Sequence, residues 1–481
     1  MSEKTDSQNP ACHLSRRDFL GGCAACAAGF SALSALGISA TSAAVSADLL
    51  EPVRRQKTKV RFVFAHPSSE KPCWPNIGYD FEAHKKHVLK NLRRSCPDTE
   101  FLPVKAGNDD DAKKILQSDD PVDGYLLYMA GCLLGNVPEI IAASGKPMVI
   151  ADNLFAGSGK FLTGYAKIRR QGHKVIAVSS SDFNDLVDAV RCLECIKKLS
   201  CSTILVVGRR PDTEIEAQYG TTVVPVTFEQ FNQAHKKIDP DEARKWADRW
   251  MRDAEKVIEP SRQDVEKSAE VHLTMLQLMR RHKAQAITVN CLGGFYGGHM
   301  PGYPCLGFMQ LDNDGLVGAC EGDQRSTMTK LLMTYLVGRP GFISDPVIDT
   351  AKNQIIYAHC VAPTKVFGPN GAANPYHIRS HSEDRKGASV RSLMPLGEMT
   401  TTIEFDHKKK QVIFHQGKTV ENVDEDKACR TKLAVEVKGD IYKLLNYWDQ
   451  WGWHRVTFYG DLKRPVFDIA TLLGFEVVEE A

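Results

Sequence analysis

Ala319-Cys-Glu-Gly-Asp323 runs without a break into Gln324 to Leu336, where Met328, Leu331, Leu332 and Leu336 form an apolar stripe. Apolar positions three and four apart predict a helix, and Gly338-Arg-Pro340 ends it. Glu321-Gly-Asp323 is therefore expected at a strand-to-helix junction, where the backbone can present both carboxylates to a cleft. The flanking sequence, from Gly302-Tyr-Pro-Cys-Leu-Gly-Phe to Tyr357-Ala-His-Cys360, is apolar and punctuated by glycine. Within about forty residues it carries Glu321, Asp323, Asp345 and His359. Carboxylates and imidazoles among residues that should be buried are costly unless they meet a cation or each other. That composition points to a metal or acid/base site.

The strand–helix unit repeats on both sides. Lys59-Val-Arg-Phe-Val-Phe64, Phe101 to Val104, Gly124 to Tyr128 and Pro147 to Ile150 are β-rich runs, separated by helical patterns at Phe81 to Leu92, Ala112 to Leu116 and Val137 to Ala143. Alternation at this spacing predicts a parallel α/β sheet. A second α/β unit follows from about Gly172, with strand-like runs at Lys174 to Val178, Thr203 to Gly208 and Lys283 to Asn290. Its helical patterns lie at Phe183 to Leu199 and at Pro240 to Arg281, the latter interrupted at Val257 to Ser261. Gly293 to His299 reads as a flexible, aromatic-bearing loop suited to substrate contacts. Beyond Thr364 the pattern changes to short strands with turn signals at Val390, Thr400 to Phe405, Gln411 to His415, Leu433 to Val437 and Val456 to Tyr459. This is a small β barrel or sandwich. The expected domains are 57–170, 171–363 (carrying the Glu/Asp site) and 364–481, after a segment 1–47 that is not part of the fold.

That first segment holds Ser15-Arg-Arg-Asp-Phe-Leu20 and an uncharged, small-residue run to about Ala47, with Val45-Ser-Ala47 as a cleavage site. It reads as a twin-arginine export signal, placing the mature chain in the periplasm or another extracytoplasmic space, with no integral membrane segment once the signal is removed. Of fourteen cysteines, Cys12, Cys23 and Cys26 leave with the signal, and the odd number that remains cannot pair completely within one chain. Cys291, Cys305, Cys320 and Cys360 fall in segments read as apolar strands, and Cys192 with Cys195 in a helix, as buried free thiols. With 61 basic and 59 acidic residues the net charge is +2, which gives no electrostatic footprint for nucleic acid.

Glu321 and Asp345 are 24 residues apart, about one helix plus one strand, so they are expected side by side at the carboxyl edge of one sheet. His359 ends the next strand, and His454 lies in the β segment. Two carboxylates with one or two imidazoles suit Mn²⁺ or a similar divalent cation better than a thiolate-preferring metal. Such a site is suited to moving a proton at the carbon beside a carbonyl.

At these residues the sequence resembles the L-fucose isomerase and L-arabinose isomerase superfamily. The resemblance rests on Pro304-Cys-Leu-Gly-Phe, Ala319-Cys-Glu-Gly-Asp, Gly338-Arg-Pro-Gly-Phe-Ile-Ser-Asp345-Pro, Ile356-Tyr-Ala-His359-Cys, Tyr376-His-Ile-Arg-Ser-His-Ser-Glu, Gly387-Ala-Ser-Val390 and Pro395-Leu-Gly-Glu-Met-Thr400. It is strong from Tyr303 to Thr401 and again from His454 to Asp461, and one of architecture alone before Lys283. It implies two Rossmann-like parallel-sheet domains followed by a C-terminal β-barrel-like domain, and an Mn²⁺-dependent aldose–ketose isomerase working through a cis-enediol. Glu321 and Asp345 would be the paired acid/base carboxylates and, with His454, the metal ligands; His359, Arg379 and His381 would contact substrate. A trimer or hexamer is implied, with a neighbouring subunit closing the site. The sequence departs from the family's pattern at His454-Arg455, where members carry two adjacent histidines, and in its export signal. Other readings stay open on the residues themselves: epimerase or lyase chemistry through an enediolate on an oxidised sugar, an exported sugar-binding relative without turnover, and a redox protein built on Cys192 and Cys195.

Overall fold

The computed structural model describes residues 42–117, 121–208 and 218–481. Most of the expected signal lies outside the described residues. Among the described residues no helix is long and apolar enough to cross a membrane.

The first layer is a five-stranded parallel sheet of β1 (Thr58–Ala65), β2 (Thr99–Ala106), β3 (Gly124–Met129), β4 (Met148–Asp152) and β5 (Val175–Val178), in the order β2-β1-β3-β4-β5. Helices cover both faces of such a sheet, which is why β3 is uncharged and buried along its length and β1 is buried at every position but Lys59. Two of the intervening helices start where the sequence supplies side-chain caps. Asp80 accepts from the Ala83 amide, and Asn108 accepts from Asp110 and Asp111 ahead of Asp109–Leu116.

The second layer comprises β6 (Thr203–Val207), β7 (Thr222–Val226), β9 (Ala286–Val289) and β10 (Val317–Cys320), all parallel, in the order β10-β9-β6-β7. Between β7 and β9 come the helices Pro240–Asp253 and Arg262–His282, broken by the two-residue strand β8 (Lys256–Val257) where the sequence showed an interruption.

His272 sits within the second of these helices, fully buried, its ring centroid 4.8 Å from that of Trp246 and 5.6 Å from that of Trp250. Burial pushes its pKa down to about 3, with the Gly307 backbone opposing. The fold therefore holds a neutral imidazole that the unfolded chain protonates near 6.5. Its contribution is complete above pH 6.5 and is lost at up to about 1.4 kcal/mol per pH unit as pH falls from there toward 3. His272→Leu should flatten the acid limb of urea-unfolding midpoint against pH. Parallel acid limbs for variant and wild type would refute the assignment.

The third layer is antiparallel. β11 (Phe342–Asp349), β12 (Gln354–His359), β15 (Met399–Asp406), β16 (Gln411–Asn422), β17 (Thr431–Lys438) and β18 (Arg455–Tyr459) close into a six-stranded barrel in the order β15-β18-β11-β12-β17-β16, with β15 pairing back to β16. β19 (Glu476–Glu479) adds in parallel to β16, while β13 (Tyr376–Arg379) and β14 (Ser389–Ser392) join β8 in a separate small sheet.

Several expectations change here. β11 and β12, placed by the sequence in the segment 171–363, pair into the barrel; antiparallel partners such as β17 and β18 are distant in sequence, so spacing alone cannot reveal them. The expected loop from Gly293 is largely a helix, Cys291–Tyr296, capped by Asn290. Cys291 and Cys305 likewise begin helices instead of lying in strands, and Cys360 falls just past the end of β12. Cys192 and Cys195 are buried on the helix Phe183–Ser200, and every cysteine among the described residues is free.

Candidate metal and acid/base site

Glu321 and Asp345 do meet, but not on one sheet. Glu321 follows β10 of the second layer, and Asp345 lies on β11 of the barrel. Register brings the barrel residues together. Ser344 pairs with Arg455, and Asp345 pairs with Ala358, so His454, just before β18, and His359, at the end of β12, flank Asp345 in the middle of β11. Glu321 faces them from the junction before the helix Gln324–Val337. Its φ is +63°, and that of Gly322 is +66°. A non-glycine residue in the left-handed region is strained, and such strain persists where the surroundings demand a particular side-chain direction.

One ligand atom from each of Glu321, Asp345, His359 and His454 lies within 4.8 Å of all the others. His454 Nε2 stands 3.3 Å from Asp345 Oδ1 and 3.6 Å from Glu321 Oε2; His359 Nε2 is 3.5 Å from Glu321 Oε1 and 4.0 Å from Asp345 Oδ2.

The two imidazoles are not equivalent. His454 Nδ1 lies 2.8 Å from Asp323 Oδ2, and a carboxylate there can only accept, so Nδ1 carries the proton. Nε2 is left buried, with no hydrogen-bond partner, aimed at the two carboxylates. A carboxylate that holds Nδ1–H and turns Nε2 outward is the arrangement that supports a metal-binding histidine. His359 is held the other way. Its Nδ1 accepts the Cys360 amide at 3.0 Å, which puts the proton on Nε2 and makes that atom a donor toward Glu321. The donor set that fits a divalent cation is therefore Glu321, Asp345 and His454, with His359 beside it as a hydrogen-bond donor.

Electrostatics agree with this division. Burial disfavours charge on His454, but its hydrogen bond to Asp323, the Asp345 carboxylate close to Nε2 and the nearby Glu321 charge outweigh it and lift the pKa to about 10. Asp323 is pulled down to about 2: burial opposes, and the bonds to His454 and Ser326 prevail. Asp345 is also lowered, against burial, by His454, His359 and the Trp453 indole. The exposed Trp453 donates Nε1–H to Asp345 Oδ1 at 2.5 Å. The residue where a second histidine was expected, Arg455, points away. It is fully buried, paired with Glu480 at 3.0 Å and stacked over Trp448.

Arg379 and His381 do not join the cluster. Arg379 is taken up by Glu259, both of whose oxygens lie 2.8 Å from its Nε, and His381 Nδ1 is 3.1 Å from Asp384 while its ring packs against Phe295 and Tyr303. Sequence reasoning noted Asp323 but gave it no partner; its position as N-cap of the helix was the available signal. Trp453 and Glu404, described below, carried no signal.

Two parallel α/β layers and an antiparallel barrel thus bring together a carboxylate–histidine group that could hold a metal ion. No family model matches the chain. It is similar to a sulfoquinovose isomerase of Clostridium sp. (strain MSTE9), 23% identical over 281 residues, covering 56% of this chain and 60% of that protein. It is also similar to the sulfoquinovose isomerases of Priestia aryabhattai and Priestia megaterium (strain ATCC 12872 / QMB1551). Each is 22% identical over 312 residues, covering 60% of this chain and 67% of theirs. The chain thus spans about 60% of the first relative's length.

Proposed function

We propose that the protein is a divalent-metal-dependent aldose–ketose isomerase acting on an open-chain sugar, with a sulfonated sugar of the sulfoquinovose kind as its substrate class. The observation that carries the reading is the convergence of Glu321, Asp345 and His454 with a buried, unpartnered Nε2. The names of the relatives support the reaction and the substrate class. Glu321, Asp345 and His454 would hold Mn²⁺ or a similar ion. When bound, that ion supplies Lewis acidity toward two adjacent sugar oxygens.

The chain's own residues supply the rest. One of the facing carboxylates takes the proton from C2 of the aldose and returns it to C1, while the hydroxyl proton on O2 passes to O1. The atoms balance, and the sugar is changed only in where its carbonyl lies. Glu321 is the residue held in a strained backbone conformation toward the cluster, and we assign it the carbon-bound proton. Asp345, held ionised by its histidine and indole donors, stays a carboxylate throughout. His359 Nε2–H is placed to donate to a sugar oxygen. A homo-oligomer of three or six copies belongs to the same reading. Trp74, Ile77, Leu133 and Phe155, on loops following β1, β3 and β4, are exposed apolar side chains that a second copy would cover.

The test titrates Mn²⁺ into the full chain at pH 7 and follows sulfoquinovose in deuterated water by NMR, with light scattering on the same sample. The expectation is one ion per chain, release of about one proton because metal-free His454 keeps its proton to about pH 10, and deuterium entering at C1 of the ketose as it forms and, by the reverse reaction, at C2 of the recovered aldose. A chain that binds one ion yet exchanges no C2 proton in any aldose is a binding protein, not an isomerase. A single-chain mass would overturn the oligomer.

A further inference from the structure

The carboxylate that fixes His454 is itself held by a chain of groups leading into the barrel wall. Asp323 Oδ1 accepts the Ser326 amide at 3.0 Å, and Ser326 Oγ lies 2.8 Å from Asp323 Oδ2. On its other side the same hydroxyl lies 3.2 Å from Glu404 Oε2, on β15. Glu404 is fully buried, and Thr329 Oγ1 is 3.3 Å from its other oxygen. Thr329 Oγ1 already accepts the Phe405 amide, so its own proton goes to Glu404.

A serine hydroxyl has one proton, and here two carboxyl groups face it. If both were ionised, only one could receive that proton, and two buried anions would compete across one oxygen. The count closes when one carboxyl brings its own proton. Asp323 is the one kept anionic, since it takes Nδ1–H from His454. We propose that Glu404 is a positioning residue: a neutral buried acid that donates to Ser326, commits the serine proton to Asp323, and so holds the Nδ1–H form of His454 with Nε2 free for the metal. This rests on the metal-site reading above and extends it to a residue outside the cluster.

The surroundings of Glu404 agree. The groups facing it are Asp323 and Arg325 at the start of the helix, His454 and Arg455 at the start of β18, Asp406 on its own strand and Tyr219 ahead of β7. Burial, then the Asp323 charge, push the Glu404 carboxyl up to about 8, with Arg325, Arg455 and, in the metal-free chain, His454 opposing. Arg325 Nε is 3.4 Å from Glu404 Oε1, but the same guanidinium reaches Asp406 at 3.2 Å, and its Nε makes no hydrogen bond. The rival arrangement, an ionised Glu404 paired with Arg325, makes opposite predictions.

The experiment compares wild type, E404Q, E404L and S326A, all full-length. At pH 7 the infrared spectrum of wild type should show a buried carboxylic acid C=O band that E404Q lacks; absence of that band overturns the proposal. In Mn²⁺ titrations E404L and S326A should bind about 10- to 100-fold more weakly, the range for loss of a group supporting a metal ligand. E404Q, whose amide still donates to Ser326, should restore most of the affinity. The E404L/S326A double variant should lose no more than the worse single variant, since both cut one chain. E404L binding as wild type, or E404Q as weak as E404L, would overturn it, and S326A keeps the test alive if E404L does not fold. The outcome is separable from that of the isomerase reading. A chain that binds Mn²⁺ in this pattern but turns over no sugar sinks the isomerase and leaves Glu404 in place; a wild type that takes up no Mn²⁺ sinks both.

Discussion

Glu321→Gln should lower C2 proton exchange by at least about 10³-fold while the protein stays folded. General acid–base catalysis by a positioned group contributes about 10²- to 10⁴-fold, and the same carboxylate is one of the three proposed metal donors, so on the proposed reading the variant loses two functions at once. An amide neither takes a proton from carbon nor brings a negative charge to a cation. The fold should tolerate the change, since glutamine has nearly the same shape and the Glu321 side chain is 29% exposed. The backbone offers an independent control. At φ +63° a side chain costs about 1 kcal/mol relative to glycine, so Glu321→Gly should be more stable than wild type by about that amount and equally inactive. Activity lost while stability rises is the signature of strain kept for function. The measurements are deuterium incorporation, Mn²⁺ content and thermal unfolding on the three proteins. Exchange by Glu321→Gln at the wild-type rate would remove Glu321 from the chemistry.

Lys330→Met should cost about 3–5 kcal/mol of stability, the usual result of stranding one member of a buried ion pair. Lys330 and Asp312 are both 1% exposed, and Lys330 Nζ lies 2.7 Å from Asp312 Oδ2. The pair is tied to the strand that delivers Glu321: Lys330 donates to the Gly318 carbonyl, and the Gly318 amide donates to Asp312. Without the ammonium, the Asp312 carboxylate, which burial already pushes up to about 6, has only a backbone amide left. Replacing both members, as Lys330→Met with Asp312→Leu, should recover much of the loss, because an apolar pair leaves no buried charge. Denaturant midpoints for the two variants and wild type decide it. A single variant as stable as wild type would mean that the pair contributes nothing net.

Much of the site was visible in the order of residues. Glu321-Gly-Asp323 before an apolar stripe located the junction and the helix Gln324–Val337 correctly, because helix periodicity and capping are local. The alternation of β-rich and amphipathic runs located the two parallel layers for the same reason. Apolar runs rich in glycine misled: around Cys291 and Cys305, length and flanks fit strand and helix alike, and packing chose helix.

By itself, then, the sequence determined which residue types converge, the α/β class, the barrel-like C-terminal part and the resemblance to sugar isomerases. Tertiary structure alone decided how the pieces meet. Antiparallel register, a non-local property, moved Asp345 and His359 into the barrel opposite Glu321. Arg379 looked available but is neutralised by Glu259, 120 residues earlier in the chain. The difference between His454 and His359 rests on single hydrogen bonds to Asp323 and to the Cys360 amide. A tautomer is set by the one partner that reaches a ring nitrogen, and that partner is chosen by the fold.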